Sequence, residues 1–189
     1  MAVTTYVWAD TPQDRKDRLF RRSEEDISDI ADTVRGIVED VRARGDEALC
    51  EITARLDYKD SRPETLWVGE DEFRHAESVL SHEVHEALRY AIENVKAFHE
   101  IQKPKAMEMV QVRPGIMAAE KWVSVDRAAL YVPRGRGSFP SMLYMLAVPA
   151  VIAGVPEIIV CTPPDADGSI DPACLVAARM LGIHRILRA

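Results

Sequence analysis

The chain has few cysteines. Its three, Cys50, Cys161 and Cys174, form an odd set with no C-x-x-C pair. With no secretory leader ahead of the first charged segment, that set argues against a disulfide scaffold and for a reducing, cytoplasmic setting. A basic surplus is also missing: 24 Lys and Arg face 31 Asp and Glu, a formal charge of −7. That balance disfavours attraction to nucleic acid or to an anionic membrane. No apolar run is long enough to span a bilayer; the longest, around residues 143–155, is short and broken by Pro and Gly, so it reads as buried. No G-x-S-x-G elbow, H-E-x-x-H, Walker loop or Cys-His pair occurs, and no internal repeat. The residues therefore supply no defensible nucleophile, general acid or base. What is present is globular in balance, 47% hydrophobic and 29% charged, and 189 residues can bury a sizeable core.

The first hundred residues carry helical periodicity. Ile27, Ile30, Ala31, Val34, Ile37, Val38 and Val41 follow a three-and-four spacing that lays one apolar stripe along a helix. Ser23 is its candidate N-cap and Gly45 its stop, after which Asp46 caps a second helix bearing Ala48, Leu49, Ile52 and Leu56, making a helical hairpin. A short helix is predicted over residues 71–80. Ser81 then caps a longer one with the stripe Val84, Ala87, Leu88, Ala91, Ile92, Val95 and Phe98. After Pro104 the texture changes to two β-like runs, 107–112 and 117–125, parted by Arg113-Pro114-Gly115. This places a boundary near residue 104, between a helical arm (1–104) and the first part of an α/β dinucleotide-binding domain (105–189). The last third alternates a buried strand (128–132), an apolar helix (138–153), a strand (157–161), a helix (172–181) and a terminal strand (184–187). Strands separated by helices imply parallel pairing through right-handed crossovers. The fold class is α/β, with an incomplete Rossmann-like parallel sheet whose terminal strand is expected to present an unpaired edge.

The chemically informative stretch runs from Leu130 to Ser141, a strand leading through a loop with Gly135 and Gly137 into a helix. Such loops let backbone N–H groups approach a phosphate at a helix start. The third glycine of G-x-G-x-x-G is missing, and a plain strand-to-helix turn explains both glycines as well. Arg134 and Arg136 have the guanidinium shape that fits phosphate, sulfonate or carboxylate. Arg134 is evenly balanced between a ligand and solvent, and Arg136 reads as solvated. Tyr131, on its spacing alone, is a core residue. His82 and His85 sit three apart on a helix but lack a third ligand and lie among surface charges, so a solvated face outweighs zinc. Asp165, Asp167 and Gly168 lack the later glutamate of a calcium loop and read as a polar turn.

Four ordered segments share one resemblance: Arg42–Leu49, Leu130–Pro133, Ala147–Val155 and Ile158–Pro164. Together they resemble the histidinol dehydrogenase family, from about residue 20 to the end. The resemblance implies an aldehyde-dehydrogenase-like architecture and a zinc-dependent enzyme that oxidises a small-molecule alcohol with NAD, as a homodimer whose active site draws on both subunits. It implies that Tyr131 and Pro133 contact the dinucleotide. It also implies that the zinc ligands, the acid–base pair and a glutamine-bearing glycine loop lie beyond the chain, so that this chain alone is inactive. Arg134-Gly135-Arg136-Gly137 stands where many members carry Gly-Gly, and resembles the branch that oxidises sulfopropanediol. Arg134 is thereby a candidate contact for an anionic substrate. Leu56 replaces a phenylalanine common near the dinucleotide. The alternative is a non-catalytic helical and nucleotide-binding module acting in assembly or regulation.

Overall fold

The computed structural model describes residues 5–20, 27–134 and 137–189; Ser23, Gly135 and Arg136 lie outside them. The chain forms two compact units, Met1–Gly45 and Asp46–Ala189. The change of texture at residue 104 thus falls inside the second.

The first unit carries α1 (Gln13–Phe20) and α2 (Ile27–Arg44). Gly45 ends α2 with a positive φ of 63°, and its N–H reaches back to Val41 O at 2.8 Å, a left-handed stop that glycine takes without strain. The apolar stripe of α2 is largely open: Ile30, Val34 and Val38 are exposed.

The second unit begins with α3 (Asp46–Leu56), which buries Ala48, Cys50 and Thr53. In α4 (Glu70–Val79), the Glu72 side chain accepts the Gly69 N–H at 2.9 Å and ties the helix start. In α5 (His82–Gln102), Ser81 Oγ accepts the Val84 N–H, as its cap position predicts. Next comes an antiparallel hairpin, β1 (Met107–Arg113) and β2 (Ile116–Lys121), exposed on both faces. The rest alternates: β3 (Arg127–Tyr131), α6 (Pro140–Ala153), β4 (Glu157–Thr162), α7 (Pro172–Met180) and β5 (Ile186–Arg188).

The sheet is parallel in the order β3-β4-β5, the pairing expected of strands joined by helices. α5 packs on α6 and α7, and α4 on α7. Their apolar faces join Val132, Val160 and Ile186 from the sheet in one core with Phe73, Leu88, Ile92, Leu143, Val148 and Leu175.

Two expectations are corrected. The strand at 128–132 is not buried throughout. It is an edge strand, paired among the described strands with β4 alone, and only one of its faces is covered, so exposure alternates: Leu130 is half-buried and Val132 buried, while Ala129 and Tyr131 are exposed. Nor is β5 an open edge. Residues 66–68 run antiparallel beside it, with Val68 N–H to Ile186 O at 3.0 Å and Arg188 N–H to Leu66 O at 2.8 Å. The blocking segment lies far away in sequence, where no local pattern marks it.

That edge is locked by Arg188, whose side chain is only 8% exposed. Its Nε donates to Gly168 O at 2.8 Å, its Nη1 to Thr65 O at 2.8 Å and Trp67 O at 3.0 Å, and its Nη2 is paired with Glu72. Removing one partner of a buried charged network leaves the others unpaired. Arg188→Met should therefore cost about 3 kcal/mol in urea unfolding; a loss under about 1 kcal/mol would mean that water replaces the guanidinium. Gly168 packs against Tyr58, where a Cβ would meet Tyr58 Cζ at 2.6 Å, and its φ is 84°. Gly168→Ala should cost about 1–3 kcal/mol, with Tyr58→Ala in the same chain recovering only the steric part, read as the coupling in a double-mutant cycle.

Candidate functional site

In an open parallel sheet the carboxyl ends of the strands face the loops that bind ligands. Here a crevice forms between the loops after β3 and β4, lined by Pro133, Arg134, Ser138, Phe139, Asp171 and Cys174. It is tight, about 10 Å3, room for one water.

Of the residues singled out from sequence, Pro133 and Arg134 line this crevice. Tyr131 stands one strand position before it and is 58% exposed, so its ring is not a core residue. A Cβ at Gly137 would meet nothing within 4 Å, so no packing in this structure requires glycine there. Leu56 is 65% exposed at the end of α3.

Arg134 does not stand free in solvent. Its Nη2 is ion-paired with Asp165, in the loop after β4. That loop is the polar turn its composition predicts: Asp165 N–H donates to Ser169 O at 2.8 Å, Gly168 N–H donates to Asp165 O at 2.8 Å, and Asp167 accepts from both the N–H and the hydroxyl of Ser169. These two bonds from Ser169 hold the Asp167 carboxyl below its ordinary range, with Arg134 adding a smaller pull in the same direction. Arg188 holds the Gly168 carbonyl from beneath. Sequence reasoning missed Asp165 as the partner of Arg134, and Arg188 and Glu72 as the support of the turn. The one available signal was an arginine inside the terminal apolar strand.

The wall opposite Arg134 is the start of α7. Asp171 Oδ1 accepts the N–H groups of Ala173 at 2.9 Å and Cys174 at 3.2 Å, so this helix start is already satisfied by its own carboxylate. The start of α6 differs: Phe139 gives no side-chain cap, and the first turn has no acidic residue. Burial pushes the Cys174 thiol up to about 12, Asp171 adds to the rise, and a hydrogen bond with Ser138 opposes it. Cys174 is thus a protonated packing residue at neutral pH.

His82 is exposed, His85 is half-buried, and His184 lies edge-on to Phe73 with ring centres 6.0 Å apart. Among the described residues no three His, Cys, Asp or Glu side chains gather as metal ligands. No described helix is long and apolar enough to cross a membrane.

The fold defines an α/β protein built on a parallel sheet, with a crevice at the carboxyl ends of its strands. Within that class, residues 20–189 match the histidinol dehydrogenase family model, and the chain belongs to that family. It is 43% identical over 188 residues to a histidinol dehydrogenase homolog of Rhizobium meliloti, covering 100% of this chain and 41% of the relative. It is 39% identical over 178 residues to the histidinol dehydrogenase of Synechocystis, covering 94% and 41%. The crystal structure of histidinol dehydrogenase from Elizabethkingia anophelis superposes with a TM-score of 0.78 at 32% identity, over 87% of this chain and 37% of that one. The chain spans about two-fifths of the length of these relatives.

The thiol shift has a definite sign. The folded pKa of Cys174, about 12, lies above the ordinary thiol value of 9.0. The stability this confers is intact below that ordinary value and is lost as pH rises from it toward the folded one. Cys174→Ala should flatten the alkaline loss of stability in urea titrations run across that window. Part of the slope should persist, because burial also raises Cys50 and Cys161. An unchanged slope would remove Cys174 as its source.

Proposed function

We propose that this chain is the amino-terminal portion of an NAD-linked, zinc-dependent alcohol dehydrogenase that works as a homodimer in the cytoplasm. The observation that carries this reading is the family match over residues 20–189. The chain's own part is to present the Tyr131 ring and Pro133 at the carboxyl end of β3 as contacts for the dinucleotide. An exposed aromatic ring at a strand end is available for stacking, which a buried one is not. NAD, when bound, supplies hydride acceptance; the protein's task is to position the alcohol carbon against it. Zinc ligands and the acid–base pair are assigned to the remainder of a family-length protein. The substrate is histidinol or a small anionic alcohol such as sulfopropanediol, Arg134 being the residue that favours the anionic class.

A second reading, a non-catalytic nucleotide-binding module, draws support from the covered edge of β5: with residues 66–68 beside it, that strand is protected from edge-to-edge association.

Isothermal titration of NAD into the purified chain, with Tyr131→Ala as control, tests the cofactor reading. Binding weakened about tenfold in the variant is expected, in line with the loss of one aromatic stacking contact. Equal binding by both chains removes Tyr131 from the site, and binding by neither removes the claim that this portion holds a working piece of it.

A further inference from the structure

Arg134 carries a cation into the crevice, yet its charge is already answered from within the chain. We propose that Arg134 anchors a tetrahedral-oxyanion site at the carboxyl ends of β3 and β4, and that Asp165 is its built-in competitor, displaced when a phosphate or sulfonate binds. The inference deepens the dehydrogenase reading by naming the group that Arg134 takes and the residue that opposes it.

The pair is positioned for exchange. The side chains of Arg134 and Asp165 are 29% and 36% exposed, so solvent and solutes reach both. A partly exposed ion pair contributes little net free energy, which an incoming tetrahedral oxyanion can exceed. A guanidinium fork accepts a tetrahedral oxyanion as readily as a carboxylate. Asp165 is not needed on Arg134 to keep its loop in shape. The turn is closed by the bonds between Asp165 and Ser169 and between Gly168 and Asp165, and Arg188 holds it from below. Because this turn keeps Asp165 beside Arg134 whether or not they are paired, the carboxylate acts at high effective concentration and selects for oxyanions that bind the guanidinium better than it does. The surroundings favour an anion on the α6 side, where no acidic residue sits in the first turn, whereas Asp171 already occupies the start of α7.

The two sources of such an anion, the diphosphate of a dinucleotide and the sulfonate of a small alcohol, are separated by the probe. Sodium pyrophosphate and sodium methanesulfonate are titrated at low ionic strength into the chain and into Asp165→Asn, Arg134→Gln and the double variant. Asp165→Asn should gain about three- to tenfold in affinity for one of the anions, Arg134→Gln should lose binding, and the double variant should match Arg134→Gln. A gain for pyrophosphate assigns the site to a dinucleotide, and a gain for methanesulfonate to a sulfonated substrate. Unchanged or weaker binding of both anions by Asp165→Asn overturns the proposal, as does a gain that survives in the double variant, since that reflects net charge alone. Circular dichroism checks the fold. If Asp165→Asn does not fold, Asp165→Ser takes its place, and failure of both shows a structural pair and also overturns the proposal. The NAD titration is independent: absence of NAD binding with a retained gain for methanesulfonate would discard the cofactor reading and keep the anchor.

Discussion

The arrangement of the site depends on one buried guanidinium. Arg188 lies on the last strand, faces inward, and spends its donors on three backbone carbonyls and one carboxylate from three separate segments. Burying such a charge is costly unless it is fully partnered, so its partners have little freedom to move independently. Thr65 and Trp67 belong to the segment that covers the sheet edge, Glu72 to the start of α4, and Gly168 to the turn that presents Asp165. Fixing Arg188 therefore fixes the edge of the sheet, the helix against α7, and the loop on one side of the crevice.

A second layer of charge extends this tie. Arg179 on α7 reaches Glu70 at 3.0 Å and Glu77 at 3.2 Å on α4, holding the two helices together above their apolar contact. On the far end of the sheet Glu157 receives both Arg127 of β3, at 2.7 Å, and Arg185 ahead of β5. These pairs are more exposed, and each contributes less than the Arg188 network. Their effect is on register: Glu157 sits on the central strand and ties it to the strand on each side.

What the sequence made legible was local. Gly45 as a helix stop, Ser81 as a cap and the polar turn at 165–168 depend on residues within a few positions, so spacing and residue type were enough. The parallel sheet was legible for a similar reason, because a helix between two strands leaves little choice of pairing. The covered edge of β5 was not. Arg188 finds Thr65, Trp67 and Glu72 at separations of 123, 121 and 116 residues, and no periodicity connects such positions. Tyr131 misled in another way. An apolar run cannot show whether both faces of a strand are covered, and where one face is open every second side chain is exposed. Arg134 was legible as a cation with an undecided partner; that the partner is Asp165 follows from two loops meeting in space.

The same geometry separates scaffold from candidate site. Arg188, Glu72 and Gly168 belong to the support, and their contacts are with backbone and core. Tyr131 and Arg134 stand forward of that support, one on an exposed rim and the other in a partly exposed ion pair. Residues that contribute little to packing are free to be specified by a ligand, and surface substitutions away from such networks change stability by only a few tenths of a kcal/mol. An arginine at position 134 thus sits where the fold tolerates change without rebuilding its core. Asp165 makes that cation conditional: with its charge held opposite, Arg134 does not attract every passing anion, and only a ligand that outcompetes a tethered carboxylate gains from it.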